Sequence, residues 1–109
     1  MHAVLEEHEP GQFVVKLHGE LDMATEPVLT DMVQEVLSRE GVGKLEVDLS
    51  GLQFLDSTGV RALLQIRRAT EDRGVTLEVT RPRDQVAEVL RVAAVDRLLG
   101  VPASREPHA

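Results

Sequence analysis

Residues 45–68, LEVDLSGLQFLDSTGVRALLQIRR, contain the change in hydrophobic period that decides the fold. Apolar and acidic side chains alternate over Leu45–Leu49, which is typical of a strand with one buried face. From Val60 onward the apolar residues recur every three or four positions, with polar residues opposite, which predicts an amphipathic helix. Ser50-Gly51 between them is a turn signal. We therefore predict a strand, a loop and a helix in this order.

The predicted helix begins at Asp56-Ser57-Thr58, three residues whose side chains all accept hydrogen bonds. The backbone N–H groups of a first helical turn point outward, and the helix dipole is positive there. A hydroxyl at this place either caps the helix or carries an anion, and the residues alone leave both readings open. Phe54 and Leu55 precede it in the predicted loop, either as part of a docking surface or as a plug of the core.

The remaining segments predict an N-terminal hairpin and further strands and helices. Glu9-Pro10-Gly11 fits a type II turn between the first two strands. The predicted strands are at residues 2–6, Phe13–His18, Leu45–Leu49 and Val75–Thr80, with a short last strand at Leu98–Val101. The first predicted helix follows the second strand, is capped by Asp22 or Thr25, has Pro27 in its first turn and ends before Gly41. The second helix follows Leu45–Leu49 and ends at Arg73-Gly74, and the third is opened by Pro82 and Asp84.

This order of elements predicts an α/β fold. Strands joined through helices must be parallel, whereas the first two strands pair as an antiparallel hairpin. The predicted sheet is therefore mixed but mostly parallel, with four to five strands. Glu46, Asp48 and Glu78 alternate with apolar neighbours, so one sheet face is polar and the helices lie mainly on the other. We expect a single domain at residues 1–101 and a flexible C-terminal tail at residues 102–109.

The composition argues against several classes of function. The 109 residues carry a formal net charge of -7 and only 2% aromatic residues, which disfavours direct binding to nucleic acid. Cysteine is absent and the histidines show no ligand spacing, so we expect no metal site and no cofactor. The first residues lack a signal-peptide pattern, and no apolar run is long enough to cross a membrane. We expect a soluble cytoplasmic protein that does not bind membranes.

The catalytic motifs that the sequence approaches are incomplete. Gly41-Val42-Gly43-Lys44 lacks the upstream glycine and the following Ser or Thr of a phosphate-binding P-loop. Asp56-Ser57-Thr58-Gly59 has one residue too many for the Asp-Ser/Thr-Gly motif of aspartic proteases. Ser57 has no obvious base and no Gly-x-Ser-x-Gly elbow around it. We therefore predict no catalytic residue and a protein that is not an enzyme.

Four segments together resemble a known family. Gly19-Glu20-Leu21-Asp22 before a helix, Leu45–Leu49, Phe54–Gly59 and the final Val95–Leu99 segment are similar to the bacterial anti-sigma factor antagonists of the STAS domain family. The likeness covers nearly the whole chain, from about residue 4 to residue 100. The resemblance implies the STAS fold, and its most specific part is the Asp-Ser-Thr-Gly motif at residues 56–59.

The resemblance also implies a function for these residues. In this family the Ser that follows the Asp is phosphorylated, which corresponds to Ser57. The implied partner is an anti-sigma factor with serine kinase activity, which binds the unphosphorylated antagonist and thereby releases a sigma factor. Phosphorylation ends the binding, and a serine phosphatase reverses it, so the protein would regulate transcription, as in a stress response. By the same resemblance Asp22 and Asp56 line the partner surface, and Thr58 and Gly59 complete the motif.

Three other residues belong to the predicted partner surface. Leu21 and Met23 follow a strand that ends on the same side, and we expect them to extend an apolar rim there. Arg61 stands where many members of the family have Gly. It either crowds the partner, pairs with a phosphate on Ser57, or is an ordinary exposed Arg on a polar helix face.

Two other functions stay open on the sequence. The same helix start is suited to a nucleotide or another anion, in a STAS module that senses a ligand or acts as a scaffold without a kinase. A phosphoryl carrier is the third possibility, and it requires a chemically labile phosphoserine. The sequence also leaves monomer and dimer open, with a monomer expected.

Overall fold

A computed structural model describes residues 1–95 and 98–99 of the chain. Strands and helices alternate after an N-terminal hairpin, as predicted. The elements are β1 (His2–Glu9), β2 (Gln12–Leu21), α1 (Glu26–Leu37), β3 (Lys44–Leu55), α2 (Ser57–Asp72), β4 (Thr76–Thr80) and α3 (Asp84–Val92).

The described strands form one four-stranded sheet in the order β1-β2-β3-β4. Strands β1 and β2 are antiparallel, whereas β2 with β3 and β3 with β4 are parallel. The hairpin turn contains Gly11 with φ +81°, the conformation that the second central residue of a type II turn requires. The predicted mixed, mostly parallel sheet with an N-terminal hairpin is therefore confirmed.

Strand β3 is longer than predicted, because the turn expected at Ser50-Gly51 does not form. Asp48 pairs with Lys16 and Gly51 pairs with His18, so two residues of β3 lie opposite one residue of β2. This arrangement is a β-bulge, which bends a strand without ending it. The small residues at this place permit the bulge, and the Ser50 amide donates a hydrogen bond to Asp48 Oδ1 at 2.9 Å.

Phe54 and Leu55 consequently lie at the end of strand β3, and the prediction that placed them in a loop is wrong. Leu55 is buried in the core, whereas Phe54 is half exposed. The sequence left open whether these two residues plug the core or belong to a docking surface. In the structure Leu55 fills the core and Phe54 lies on the surface, because successive side chains of a strand point to opposite faces.

The core lies between one face of the sheet and the helices. Alternate residues of β2 and β3 are buried there, and the apolar stripes of the three helices belong to the same cluster. This arrangement confirms that the helices lie mainly on one face. The core members from the two central strands and the helices include Phe13, Val15, Leu17, Leu45, Val47, Leu49, Leu29, Val33, Val36, Leu63, Ile66, Val86 and Leu90.

The opposite face of the sheet is polar. Arg81 Nε donates to Asp48 Oδ2 at 3.3 Å, and the Thr80 hydroxyl donates to Glu46 Oε2 at 2.6 Å. Burial by itself would raise the pKa of the Asp48 carboxyl, but the hydrogen bonds from Ser50 and the Arg81 charge outweigh it and hold the pKa below its ordinary value. Asp48 therefore stays ionised on this face.

A short strand was predicted at Leu98–Val101. The structure describes two of these residues, Leu98 and Leu99, and they do not form a strand. Leu98 and Leu99 form a turn, in which the Leu99 amide donates to the Val95 carbonyl at 3.0 Å. The Leu99 carbonyl accepts one hydrogen bond from the Val79 amide of β4, at 3.1 Å, and the Leu99 side chain is buried. Leu98 and Leu99 thus reach the edge of the sheet without forming a strand. Residues 100–101 and the predicted tail at 102–109 lie outside the described residues.

Candidate functional site

The ends of two parallel strands bring the predicted site residues together. Leu21 pairs with Leu55, and the Asp56 amide donates to the Leu21 carbonyl at 3.4 Å. Asp22 and Asp56 therefore begin the connections that leave neighbouring strands at one edge of the sheet. Ligands and partners of α/β proteins commonly bind at this carboxyl edge.

Asp56 is the N-cap of helix α2. Its backbone is extended, and its Oδ1 accepts a hydrogen bond from the Gly59 amide at 3.0 Å. Its own carbonyl accepts the first helical hydrogen bond, from the Val60 amide at 3.0 Å. The Asp56 carboxylate thus satisfies the helix start, and the neighbouring hydroxyl is not needed as a cap.

Ser57 is the first residue of helix α2, and its side chain is exposed. Within the described part of the chain, its hydroxyl has no hydrogen-bond partner. Thr58 is half-buried beside it. Ser57 therefore presents a free hydroxyl to solvent at the positive end of a helix of 16 residues.

Gly59 allows helix α2 to begin directly against strand β2. A Cβ atom at Gly59 would lie 2.8 Å from the Leu21 carbonyl oxygen and 3.1 Å from Leu21 Cγ, and it would also overlap the Leu55 side chain. Any side chain larger than hydrogen would therefore push the helix away. The backbone at this position has no positive φ, so the glycine is required by close packing.

Leu21 does not extend an apolar rim as predicted, because its side chain is fully buried beneath Gly59. The alternation of β2 continues to Leu21 and turns this side chain toward the core. Met23 lies two residues later, beyond the strand, and is 77% exposed. Of the two apolar residues expected on this rim, Met23 alone has an exposed side chain.

Asp22 organises the turn between β2 and α1. Its Oδ1 accepts hydrogen bonds from the backbone amides of Ala24 and Thr25, both at 3.0 Å. The Thr25 hydroxyl donates to the Glu20 carbonyl at 2.8 Å and accepts from the Asp22 amide at 3.0 Å. Thr25 holds the N-cap position of α1, but its side chain makes no capping bond to the helix. Asp22 is half-buried. Its hydrogen bonds give it a structural role at this edge of the sheet.

Arg61 lies one helical turn after Ser57, and its side chain is exposed. Residues four apart on a helix are neighbours on its surface, so Arg61 lies on the same side of α2 as Ser57. No ion pair of Arg61 is formed within residues 1–95 and 98–99. The structure brings this cation close to the Ser57 hydroxyl.

A groove of about 390 Å³ lies between the start of α2 and the end of α3. Most of its lining is apolar, and Val92 at its rim is 70% exposed. Val92 was not among the site residues predicted from the sequence. The lining residues are Asp56, Ser57, Val60, Glu88, Val89, Val92 and Ala93.

The chemical group that this site offers to a partner is the exposed Ser57 hydroxyl. Among the described residues, no group of three or more His, Cys, Asp and Glu side chains could hold a metal ion. No helix in the described ranges is long and apolar enough to span a membrane. Both aspartates of the site accept hydrogen bonds from backbone amides.

Comparisons with known proteins agree with one another. The model of the family described as MlaB, STAS domain, matches residues 4–100. An anti-sigma F factor antagonist from Paenibacillus polymyxa is 25% identical over 95 residues, which are 87% of this chain and 81% of that protein.

Solved structures show the same fold. An anti-sigma factor antagonist from Mycobacterium paratuberculosis superposes with a TM-score of 0.81 at 24% identity, covering 95% of this chain and 86% of the other. The unphosphorylated form of the anti-sigma factor antagonist SpoIIAA gives 0.78 at 20% identity, covering 94% and 90%. The phosphorylated form of Bacillus SpoIIAA gives 0.72 at 19% identity, covering 94% and 93%.

Proposed function

Since the chain belongs to the STAS domain family, we propose that it is an anti-sigma factor antagonist whose binding is switched by phosphorylation of Ser57. The observation that carries the proposal is the free, exposed Ser57 hydroxyl at the start of α2. The unphosphorylated protein binds an anti-sigma factor with serine kinase activity, and the sigma factor is released. The protein acts by binding and catalyses no reaction itself.

The fold tolerates a phosphate on Ser57. In the transfer, the Ser57 oxygen forms a bond to the γ-phosphorus of ATP as the bond to the β-phosphate oxygen breaks, and ADP and the hydroxyl proton are released. The Ser57 hydroxyl makes no hydrogen bond within the described residues that would be lost. The cap of α2 is the Asp56 carboxylate, and it remains in place. A negative group at a helix N-terminus is stabilised by about 0.3–1 kcal/mol. The phosphorylated protein should therefore stay folded.

Binding to the partner is not expected to tolerate the same phosphate. Phosphorylation adds about -1.5 to -2 charges beside Asp56 and close to Asp22. Burying an uncompensated charge in an interface costs several kcal/mol, on the order of 3–5 when one partner of a buried pair is missing. The switch is then local electrostatics at a surface, with little change inside the domain. A serine phosphatase restores the binding form.

Arg61 gives the phosphate one cation on the protein's own surface. Its position four residues after Ser57 permits a pair across one helical turn. Such pairs on exposed helices are worth about 0.3–0.5 kcal/mol, which is too little to cancel the charge of a phosphate. We therefore assign Arg61 a minor effect on the switch and a place at the rim of the partner surface.

The proposal is tested by incubating the protein with ATP and an anti-sigma factor serine kinase from the same organism, and by mapping the phosphate with mass spectrometry. The phosphate is expected on Ser57, absent in Ser57→Ala and retained in Thr58→Ala. Ser57→Asp should weaken binding of the anti-sigma factor about 30-fold or more, as loss of a central interface contact does. Ser57→Asn has the shape of the Asp variant without its charge and should bind almost as wild type. An unlabelled Ser57 together with normal binding by Ser57→Asp would refute the switch.

The alternative, a STAS module that holds a small anion at the same helix start, is less well supported by the geometry. The Asp56 carboxylate already accepts the Gly59 amide there, and its charge opposes a second anion. This alternative predicts that inorganic phosphate or a nucleotide raises the melting temperature of wild type and Ser57→Ala equally. No such stabilisation is expected if Ser57 acts as a modified residue.

A further inference from the structure

The groove between α2 and α3 is an apolar surface that has Ser57 in its lining. Ser57 and Asp56 form one end of it, and Val60, Val89, Val92 and Ala93 form most of its wall. Val92 lies off the buried stripe of α3 and is 70% exposed. The exposed apolar wall has a free-energy cost in water, and a partner that covers it recovers this cost.

The shape of the groove suits a side chain of a larger partner. A site that binds a small molecule usually encloses 70–90% of the ligand surface. This groove of about 390 Å³ is open at its rim, where Val92 is in contact with solvent. A free small ligand would therefore remain largely exposed, whereas a protein that brings its own surface closes the open side.

The charge at the groove favours a basic partner over a second copy of this chain. The titratable groups that line the groove are Asp56 and Glu88, both acidic. Glu88 pairs with Arg91 at 2.6 Å, which compensates its charge, so the preference for a basic partner comes from Asp56 and from the net charge of -7 of the chain. A symmetric dimer would place the same acidic groups of two chains, each with a net charge of -7, against each other.

We propose that this groove receives an apolar side chain from a basic segment of the anti-sigma factor, and that a phosphate on Ser57 expels it. The inference rests on the proposed function and adds the place of contact and the chemistry of the contacting segment. Ser57 is then part of the wall that the partner side chain touches, so its phosphorylation places two negative charges against an apolar group. Helix α3, which lies outside the family motif, becomes half of the docking surface.

The first test uses the absence of cysteine from the chain. Val92→Cys creates a single thiol at the rim of the groove, which is labelled with an environment-sensitive dye. The matched control is Gln12→Cys, an exposed site at the start of β2 and thus at the opposite end of the sheet. Addition of the purified anti-sigma factor should shift the emission of the dye at position 92 to the blue and leave the dye at position 12 unchanged.

The second test measures affinity by calorimetry on charged variants at the same two sites. Val92→Lys should weaken binding about 30-fold or more, which is the size of effect seen at central interface residues. Val92→Asp should weaken it less than Val92→Lys, because the expected partner segment is basic. Gln12→Lys and Gln12→Asp should stay within about 3-fold of wild type, as rim and remote positions do. Melting temperatures within a few degrees of wild type verify that all four variants are folded.

The outcomes separate this inference from the function on which it rests. If wild type binds the anti-sigma factor, and Ser57→Asp does not, but both Val92 variants bind normally, the groove is overturned and the switch stands. A dye at position 92 that shifts in the isolated protein with rising concentration would assign the groove to a second copy and overturn a basic partner. Failure of wild type to bind any anti-sigma factor overturns both proposals.

Discussion

Two strand-to-helix junctions lie side by side at the carboxyl edge of the sheet, and they differ in what they leave free. After β2, the Asp22 carboxylate holds a turn, and the Thr25 hydroxyl is engaged by backbone groups on both sides. After β3, the Asp56 carboxylate caps α2 at once, and the Ser57 hydroxyl points to solvent. A hydroxyl that maintains the fold is unsuited to a switch, whereas a hydroxyl without a structural role can be modified at little cost in stability.

The third residue after each N-cap shows the same difference in packing. Gly59 follows Asp56 by three positions and is buried against Leu21. Val28 follows Thr25 by three positions and is partly exposed. Helix α2 therefore begins in direct contact with the neighbouring strand, whereas α1 begins after a turn held by Asp22. The close start of α2 is what fixes the position of Ser57 relative to the sheet.

The largest expected effect comes from breaking the close start of α2. Gly59→Val should lower the free energy of unfolding by about 3 kcal/mol, because added atoms in a packed site cost about 1–3 kcal/mol and here they meet backbone as well as side chains. Urea denaturation measures this loss. Gly43→Ala is the control, since nothing lies within 4 Å of a Cβ there, and a change below about 1 kcal/mol is expected. Equal losses in the two variants would contradict the packing argument.

The next effect compares the two aspartates. Asp22→Ala should destabilise the protein by about 2 kcal/mol and Asp56→Ala by about 1 kcal/mol, because loss of an N-terminal cap costs about 0.5–2 kcal/mol and Asp22 accepts more backbone hydrogen bonds than Asp56. Thermal and urea unfolding of both variants give the order. Asn at each site keeps an accepting oxygen and should recover most of the loss. A larger loss for Asp56→Ala would reverse the comparison.

A smaller effect compares the two hydroxyls directly. Thr25→Ala should cost about 1 kcal/mol, because it leaves the Asp22 amide and the Glu20 carbonyl without their partner. Ser57→Ala should change the free energy of unfolding by less than about 0.5 kcal/mol, as surface substitutions do. Thr25→Ser, which keeps the hydroxyl, is the control. If Ser57→Ala destabilises the protein as much as Thr25→Ala, the Ser57 hydroxyl has a structural role and is a poor switch.

The smallest effect concerns Asp48, an aspartate of β3 that lies away from the carboxyl edge on the polar face. Its pKa is lower in the folded protein than in the unfolded chain, so its contribution to stability is present above the unfolded pKa and is lost as the pH falls through the folded pKa. Urea unfolding of Asp48→Asn should therefore show a flatter decline of stability in acid than wild type shows. Parallel curves for Asp48→Asn and wild type would contradict this assignment.

Some features followed from the sequence because they depend on neighbouring residues. The start of α2, the stripe that it buries and the glycine after α1 all result from local spacing, capping and backbone freedom. Other predictions were wrong where a distant segment decides the conformation. Ser50-Gly51 has the composition of a turn, yet pairing with β2 keeps it inside β3 as a bulge. The segment at Leu98 and Leu99 has the apolar residues of a strand, but one hydrogen bond to Val79 is its link to the sheet.

The candidate site divides in the same way. The motif Asp56-Ser57-Thr58-Gly59 and its place at a helix start were evident from the sequence. The burial of Leu21 was not, because a strand end shows its side-chain direction only once its register with β3 is known. Val92 was also missed, since a single valine off the buried stripe of α3 has no signal in the sequence. Its position opposite Ser57 arises from the packing of α3 beside α2.

The sequence by itself determined the order of the main elements, the polar and apolar faces of the sheet, and the start of α2 within residues 56–58, because these follow from period, propensity and capping within a few residues. The tertiary structure alone decided which hydroxyl is free and which is used, and that Ser57 borders an apolar groove. The physical reason is that hydrogen-bond partners and exposure are set by groups far apart in the chain. Parallel pairing of β2 with β3 and the docking of α3 bring those groups together.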